Sequence, residues 1–554
     1  MEFNNFALHW CSVMIDYLLK NNITNFFIGP GSRSTPFVFA LAHNNKASKY
    51  VAIDERSLGF MALGFSKKNQ MPAVIIVTSG TAVANLYPSI VEAYTSNTPL
   101  LILTADRPYE LLDCSANQTI NQNNIFSNHV IKSYNLPPPN KNMPLELSQN
   151  IFKQALNYAF VINKGPVHIN LQFREPLANT SEEIIDNNYA LLPKVFDKKT
   201  INYDEIFEGE GLLVLGQLES SELQEDVLAL AQKLNWPIYA DILSNVRFIN
   251  HPQIIHNFDL CLMNPNFTKL LTMQKVIYIG GSVVSKRFWQ WAKNNSQKEF
   301  IHITNTGKNI DQLGLFQQVL VPDLSKFLKN INNNANNNIE NIKNFSQKIN
   351  NLSNSFLSIK NNNEAFFSIN LLDKIKQDSN LFVSSSMPIR YLDQFAKANK
   401  YSINIFANRG ASGIDGIIST AVGMALQDKK PSIVLIGDLA FLYDSSALML
   451  LSSLKTGMLI VIINNQGGGI FNLLPIASDK KVLDIVTTPH KVNIEDLCKA
   501  YSIAHVKVFE EEEFDKNIEK YFSLKHNLVI EIMIDPSVNY KNLKEFYRII
   551  TEAK

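Results

Sequence analysis

Four cysteines in 554 residues, Cys11, Cys114, Cys261 and Cys498, lie far apart and form no CxxC pair. The chain therefore has neither the ligand spacing of a structural zinc site nor a disulfide framework, and scattered thiols of this kind fit a reducing cytoplasm, the expected location. Net charge is also lacking. The 51 Lys and Arg nearly cancel the 50 Asp and Glu, which gives no reason to expect a nucleic-acid partner. No apolar run reaches the roughly 20 residues that span a bilayer, so no membrane insertion is expected. The opening stretch MEFNNFALHWCSVMIDYLLK carries Glu2 and Asp16, without the basic-then-apolar layout of a signal peptide, and reads as an amphipathic helix. None of the ten histidines stands beside another.

What is present is core material, 46% hydrophobic residues, in a chain too long for one core. At about 150 residues per domain the length suggests three or four domains. Short apolar runs at Phe26 to Gly29, Ala73 to Thr78 and Leu100 to Thr104, each flanked by Gly, Pro, Ser or Asp, are of the kind that forms strands buried on both faces. A second α/β unit opens at GLLVLGQ near Glu210 and includes VIYIGG, Val276 to Gly281. No GxGxxG follows that glycine pair, and a tight strand-to-helix turn explains it better than a dinucleotide site. Between Asn330 and Asn363 lie 15 asparagines in 34 positions. Ile339, Ile342, Phe345, Ile349, Leu352, Phe356 and Ile359 recur there at spacings of three and four, which predicts a helix closing the middle domain, with flexible ends. A third unit has its clearest strands at PSIVLIGD, GMLIVIINN and NLVIEIMID. The expected fold is α/β: three doubly wound domains with mainly parallel sheets, at residues 1–190, 200–360 and 364–554.

The most specific pattern is Gly437-Asp438, then 25 residues from Leu439 to Ile463, then Asn464-Asn465. Each pair ends an apolar strand, where open α/β sheets bind ligands. A carboxylate and a carboxamide there supply two hard oxygens suited to Mg²⁺ held against a diphosphate, and the Gly467 carbonyl offers a third. Alone, Asp438 reads as a helix cap and the Asn pair as a turn. Together, with both strands in place, they read as a metal site.

This spacing resembles the signature of the thiamine-diphosphate enzymes. The resemblance implies Asp438, Asn465 and the Gly467 carbonyl as ligands of Mg²⁺, or of Mn²⁺ in its place, with Gly437 and Ser386 at the diphosphate. It implies that Glu55, in YVAIDERSLGFMALGFSKK, is the glutamate that activates the cofactor's aminopyrimidine, and that Ile414, in ASGIDG, props the cofactor in its bent form. Taken singly, Glu55 reads as a charge on a helix N-terminus and Ile414 as a core residue. The segments PGSRSTP, DERSLGF, TSGTAVANLYP, LTADRP, DCSANQ, SKR, ANRGASGIDG, GDLAFLYD and NNQGGGIFNLLP are similar to those of the menaquinone-pathway synthases and extend over all three domains.

That resemblance implies decarboxylation of 2-oxoglutarate and conjugate addition of the remaining four-carbon unit to isochorismate. These substrates bring four carboxylates, which suits arginine, whose planar fork binds carboxylates bidentately. The resemblance implies a substrate site lined by Ser32, Arg33, Arg107, Asn117, Gln118, Lys286, Arg287 and Arg390, with Ile470, Phe471 and Leu474 as an apolar wall. Glu55, Gln118, Arg33, Arg107, Arg287 and Arg390 would carry the chemistry. It also implies a homodimer or dimer of dimers, with Glu55 and Asp438 of one site from different chains. Two alternatives stay open: another thiamine-diphosphate carboligase or decarboxylase, though simple decarboxylases often carry the adjacent His pair missing here, and an inactive cofactor-binding scaffold, which should have lost Glu55 or the metal ligands.

Overall fold

The computed structural model describes residues 5–553 apart from 43, 144, 163, 178–203, 219, 307–309, 332–338 and 400. The expected boundaries at 190 and 200, and residues 332–338 of the Asn-rich run, lie outside the described residues.

Three sheets follow one another along the chain. The first has strands β1 (Asn25–Ile28), β2 (Ser48–Val51), β3 (Ala73–Val77), β4 (Leu100–Asp106), β5 (Lys132–Leu136) and β6 (Pro166–Gln172), in the order β2-β1-β3-β4-β6-β5. The second has β7 (Gly211–Leu215), β8 (Ile238–Ala240), β9 (Lys275–Ile279), β10 (Glu299–Thr304) and β11 (Phe316–Leu320), in the order β11-β10-β9-β7-β8. The third has β12 (Ser379–Val383), β13 (Ile403–Phe406), β14 (Ser432–Gly437), β15 (Met458–Asn464), β16 (Ala504–Val508) and β17 (Leu528–Met533), in the order β13-β12-β14-β15-β17-β16. Every paired strand is parallel. Counted within each sheet, the first and third share one order. Central strands such as β3, β4 and β15 are buried along their whole length, as expected where helices cover both faces.

By backbone contacts the chain forms two compact units. One comprises Met1–Phe196, Asn408–Lys429 and Tyr443–Lys455, the other Asp197–Ala407, Lys430–Leu442 and Thr456–Lys554. In the first unit the helix Glu55–Asn69 is capped by the Asp54 carboxylate, which accepts from the Arg56 and Ser57 amides. Its small residues have a packing cause: a Cβ at Gly64 would lie 1.9 Å from the Thr420 carbonyl oxygen of the helix Ile417–Ala425. In the second unit the forecast helix spans Glu340–Leu357 and buries Ile342, Phe345, Ile349 and Phe356. Phe356 stacks on Phe546 at 4.5 Å between centroids and on Phe395 at 5.7 Å, while Ile359 falls beyond the helix and is exposed.

Candidate functional site

In the second unit the residues of interest leave the carboxyl ends of neighbouring strands. The register pairs Gly437 of β14 with Ile463 of β15, so Asp438 and Asn464-Asn465 emerge at the same level. Asp438 is buried. Its Oδ1 accepts from the Leu439 amide at 2.8 Å, and its Oδ2 accepts from the Gly467 amide at 2.8 Å and lies 3.1 Å from His490 Nε2. Burial raises the pKa of Asp438, the state of a carboxylate whose charge calls for a cation. Asn465 donates from Nδ2 to Glu364 Oε1 at 2.8 Å, and its Oδ1 is buried without a hydrogen-bond partner. An orphaned carboxamide oxygen is costly unless something binds it. Among the described residues no three His, Cys, Asp or Glu side chains are grouped to hold a metal. The donors fit instead a hard ion such as Mg²⁺ that takes oxygens from a carboxylate, a carboxamide and a diphosphate.

Ser386, between β12 and the helix Met387–Phe395, has φ 75° and ψ −132°, a backbone state that normally belongs to glycine. Such strain costs about 1–3 kcal/mol and clusters at ligand-binding segments. Arg390 donates to the Ser386 carbonyl. Ile470 and Phe471, on the short helix Gly469–Leu473, are half-buried, and Leu474 is 45% exposed. Lys286 is exposed at the start of the helix Lys286–Asn294. Arg287 beside it binds Asp259 at 2.5 Å and lies over the Tyr547 ring.

The first unit gathers cations. Arg33 follows β1 and is only 6% exposed. It donates from Nη1 to the Phe173 carbonyl at 3.0 Å and from Nη2 to Glu175 at 3.4 Å, while its buried Nε has no partner. Burial, then the neighbouring charge of Arg107, lowers its pKa. Arg107, after β4, donates to Ser79 Oγ at 2.8 Å and to the Asn117 carbonyl at 3.0 Å. Gln118, with φ 57°, donates from Nε2 to the Ser79 carbonyl at 3.0 Å. Asn117 and Gln118 are exposed, as is Ser32. A buried guanidinium with an unused N–H, beside a second, half-buried one, has donor capacity that suits an anion. Glu55 opens its helix with its Cγ 3.2 Å from where a Cβ on Gly29 would stand, and its carboxylate has no hydrogen-bond partner among the described residues. Ile414, 38% exposed, lies in the loop before the helix Ile417–Ala425. Thus Ser32, Arg33, Glu55, Arg107, Asn117, Gln118 and Ile414 belong to one unit. Lys286, Arg287, Ser386, Arg390, Gly437, Asp438, Asn465, Gly467, Ile470, Phe471 and Leu474 belong to the other.

Sequence reasoning missed His490, which touches Asp438, and Glu364, which touches Asn465. Glu364 is fully buried, and burial pushes its pKa up to about 7. It stands 101 positions before its partner, where no spacing rule points to it.

Three family models lie on this chain in order: the thiamine pyrophosphate enzyme N-terminal TPP binding domain on residues 10–126, the middle domain of thiamine pyrophosphate enzymes on 188–383, and the thiamine pyrophosphate enzyme C-terminal TPP binding domain on 390–532. The fold is thus that of a thiamine pyrophosphate enzyme. A curated relative from Shewanella halifaxensis is 33% identical over 95% of each chain. One from Chlorobium phaeobacteroides is 33% identical over 98% of this chain and 96% of its own, and one from Trichodesmium erythraeum is 34% identical over 92% of each. All three are named 2-succinyl-5-enolpyruvyl-6-hydroxy-3-cyclohexene-1-carboxylate synthase, and this chain belongs to that family of thiamine-diphosphate-dependent enzymes of menaquinone biosynthesis.

Proposed function

We propose that the chain decarboxylates 2-oxoglutarate and adds the remaining four-carbon unit to isochorismate, using thiamine diphosphate and Mg²⁺, with Mn²⁺ able to substitute. The single observation that carries the metal half is the buried, unpartnered Asn465 Oδ1 beside the buried Asp438 carboxylate. Asp438, Asn465 and the Gly467 carbonyl are assigned to the metal, with Gly437 and Ser386 at the diphosphate. Thiamine diphosphate, when bound, supplies the nucleophilic carbon and electron sink that decarboxylation of a 2-oxo acid needs.

The protein's part is orientation, charge and proton control. Glu55 is assigned to the cofactor's aminopyrimidine; that role is supported by a carboxylate left without a protein partner at a helix start. Arg33 and Arg107 are assigned to isochorismate carboxylates, supported by their mutual proximity and the unused Arg33 Nε. Guanidinium groups so placed would stabilise charge that develops on the substrate as the new bond forms. Gln118 and Asn117, tied to the Ser79–Arg107 cluster, are assigned to polar groups of the same substrate, with Ser32. Arg390 is assigned to the succinyl carboxylate, Lys286 and Arg287 to the remaining charge, and Ile414, Ile470, Phe471 and Leu474 to apolar contacts.

The working unit is proposed to be a cytoplasmic homodimer or dimer of dimers, each site drawing Glu55 from one protomer and Asp438 from another. The apolar side chains beside Glu55, Val51 and Ile53, are 59% and 72% exposed, which supports a partner covering them. No helix among the described residues is long and apolar enough to cross a membrane. The test is mass spectrometry of purified protein with both substrates, thiamine diphosphate and Mg²⁺. A product carrying both carbon skeletons less CO₂ is expected; succinic semialdehyde alone would refute the ligation.

A further inference from the structure

We infer that Glu364 is a positioning residue for the metal site: its carboxylate fixes which way the Asn465 carboxamide faces. This rests on the reading of Asn465 as a metal ligand. A carboxamide is nearly symmetric in shape but not in chemistry, and only its oxygen can serve a cation. Asn465 Nδ2 donates to Glu364 Oε1 at 2.8 Å, which turns Oδ1 to the opposite side, where it is buried and unpartnered. Rotating the amide by half a turn would set Oδ1 against a carboxylate oxygen and aim the N–H₂ group at the cation. Both consequences are repulsive, so the clamp selects one orientation before any metal arrives.

Glu364 is itself held. Tyr391 donates to Oε2 at 3.1 Å and Tyr540 to Oε1 at 3.1 Å, and the Glu364 amide donates to Asn539 Oδ1 at 3.1 Å. Both tyrosines are buried. The cluster has no room for a side chain at Gly469, where a Cβ would lie 2.3 Å from the Tyr540 hydroxyl and 2.5 Å from Asn465 Nδ2. The preceding residue has a separate clamp: Asn464 Nδ2 donates to Glu531 Oε1 at 2.6 Å, and Asn464 Oδ1 accepts from the Gln466 amide at 2.9 Å. Each carboxamide of the pair is thus oriented by its own buried glutamate, one from the helix Glu364–Lys374 and one from β17.

Partners that orient a metal ligand contribute about 10- to 100-fold to metal affinity. The test is titration of Mn²⁺, read by the electron paramagnetic resonance of free ion, into full-length protein with saturating thiamine diphosphate. Glu364→Leu should weaken Mn²⁺ by about 10- to 100-fold, while Glu364→Gln, whose carbonyl can still accept from Asn465, should bind within about threefold of the parent. Asn465→Ala run alongside tests the underlying assignment. Parental Mn²⁺ affinity there would sink the ligand reading itself. Loss in Asn465→Ala with none in Glu364→Leu would sink the positioning role alone. Equal loss in Glu364→Gln and Glu364→Leu would also overturn it, because charge rather than amide orientation would then be at work. If Glu364→Leu does not fold, the Tyr391→Phe/Tyr540→Phe double variant, which frees the carboxylate without removing it, should weaken Mn²⁺ by about 2- to 10-fold. Parental affinity there would overturn the positioning role.

Discussion

The first and third sheets have the same strand order and put opposite chemistry at the same place. Their fourth strands, β4 and β15, each run seven residues, from Leu100 to Asp106 and from Met458 to Asn464. The last side chain of each is tied to the sixth strand, Asp106 accepting from Asn170 at 2.8 Å and Asn464 donating to Glu531 at 2.6 Å. One residue further on stands Arg107 in the first and Asn465 in the third. The scaffold repeats, even to the pin at the strand end, and the next position carries a guanidinium in one sheet and a carboxamide in the other, the groups proposed above for anion and for metal. Function on this architecture lives in the residues just past the strands.

The comparison can be broken from either side. In the first unit the largest expected effect is at Glu55. Glu55→Gln should keep the cofactor but slow hydrogen–deuterium exchange at its C2 by about 10²- to 10⁴-fold, the usual contribution of a positioned acid–base group. Exchange at the parental rate would leave Glu55 as a helix-end charge. Next come the arginines. Arg33→Ala or Arg107→Ala should cost about 2 to 4 kcal/mol in transition-state binding, about 30- to 1000-fold in kcat/KM for isochorismate, with far less change toward 2-oxoglutarate. Lysine at either position should recover only part, since it lacks the planar fork. Initial rates with each substrate varied in turn decide it.

Smaller effects separate the two units by stability. Ser386 and Gly80 share nearly one backbone state, φ 75° and ψ −132° against φ 85° and ψ −142°, and only one of them is a glycine. Ser386→Gly should therefore stabilise the fold by about 1 kcal/mol in urea denaturation while weakening diphosphate binding; Ser386→Ala, which keeps the strain, should not stabilise. Asp444, buried against Ser419, has its pKa pushed up to about 7 by burial. A carboxyl that titrates higher folded than unfolded holds its proton in the native state after the unfolded chain has lost it, so stability falls as pH rises from about 4 to about 7. Asp444→Asn lacks that titration, and its stability relative to the parent should improve steadily across this window, read by denaturation at pH 5 and 8. A pH-independent difference would contradict the shift.

Much of the architecture is legible in the sequence, because central strands buried on both faces are continuous apolar runs. The edges are not. β5, β11 and β16 are largely exposed or half-buried, and KSYNL, FQQVL and AHVKV lack an apolar run. Strand ends also shift: β9 stops at Ile279 and β14 at Gly437, because the glycines and Asp438 that follow turn the chain away from the ladder. The proposed ligands are legible through their spacing at two strand ends. The groups bonded to Asn465, Asn464 and Asp438, namely Glu364, Glu531 and His490, are not, since they reach those partners across 101, 67 and 52 positions and a buried side chain has no local sequence signature.

The most direct test of this division of labour is calorimetric titration of thiamine diphosphate, with Mg²⁺ present, into the parent, Asp438→Ala and Arg107→Ala side by side. Asp438→Ala should lose cofactor binding by more than about 100-fold, since the remaining Asn465 is neutral and cannot replace a charged ligand, while Arg107→Ala should bind as the parent does. Parental binding in Asp438→Ala, or equal loss in both variants, would contradict the assignment of the metal and diphosphate to the third sheet and of the substrate anions to the first.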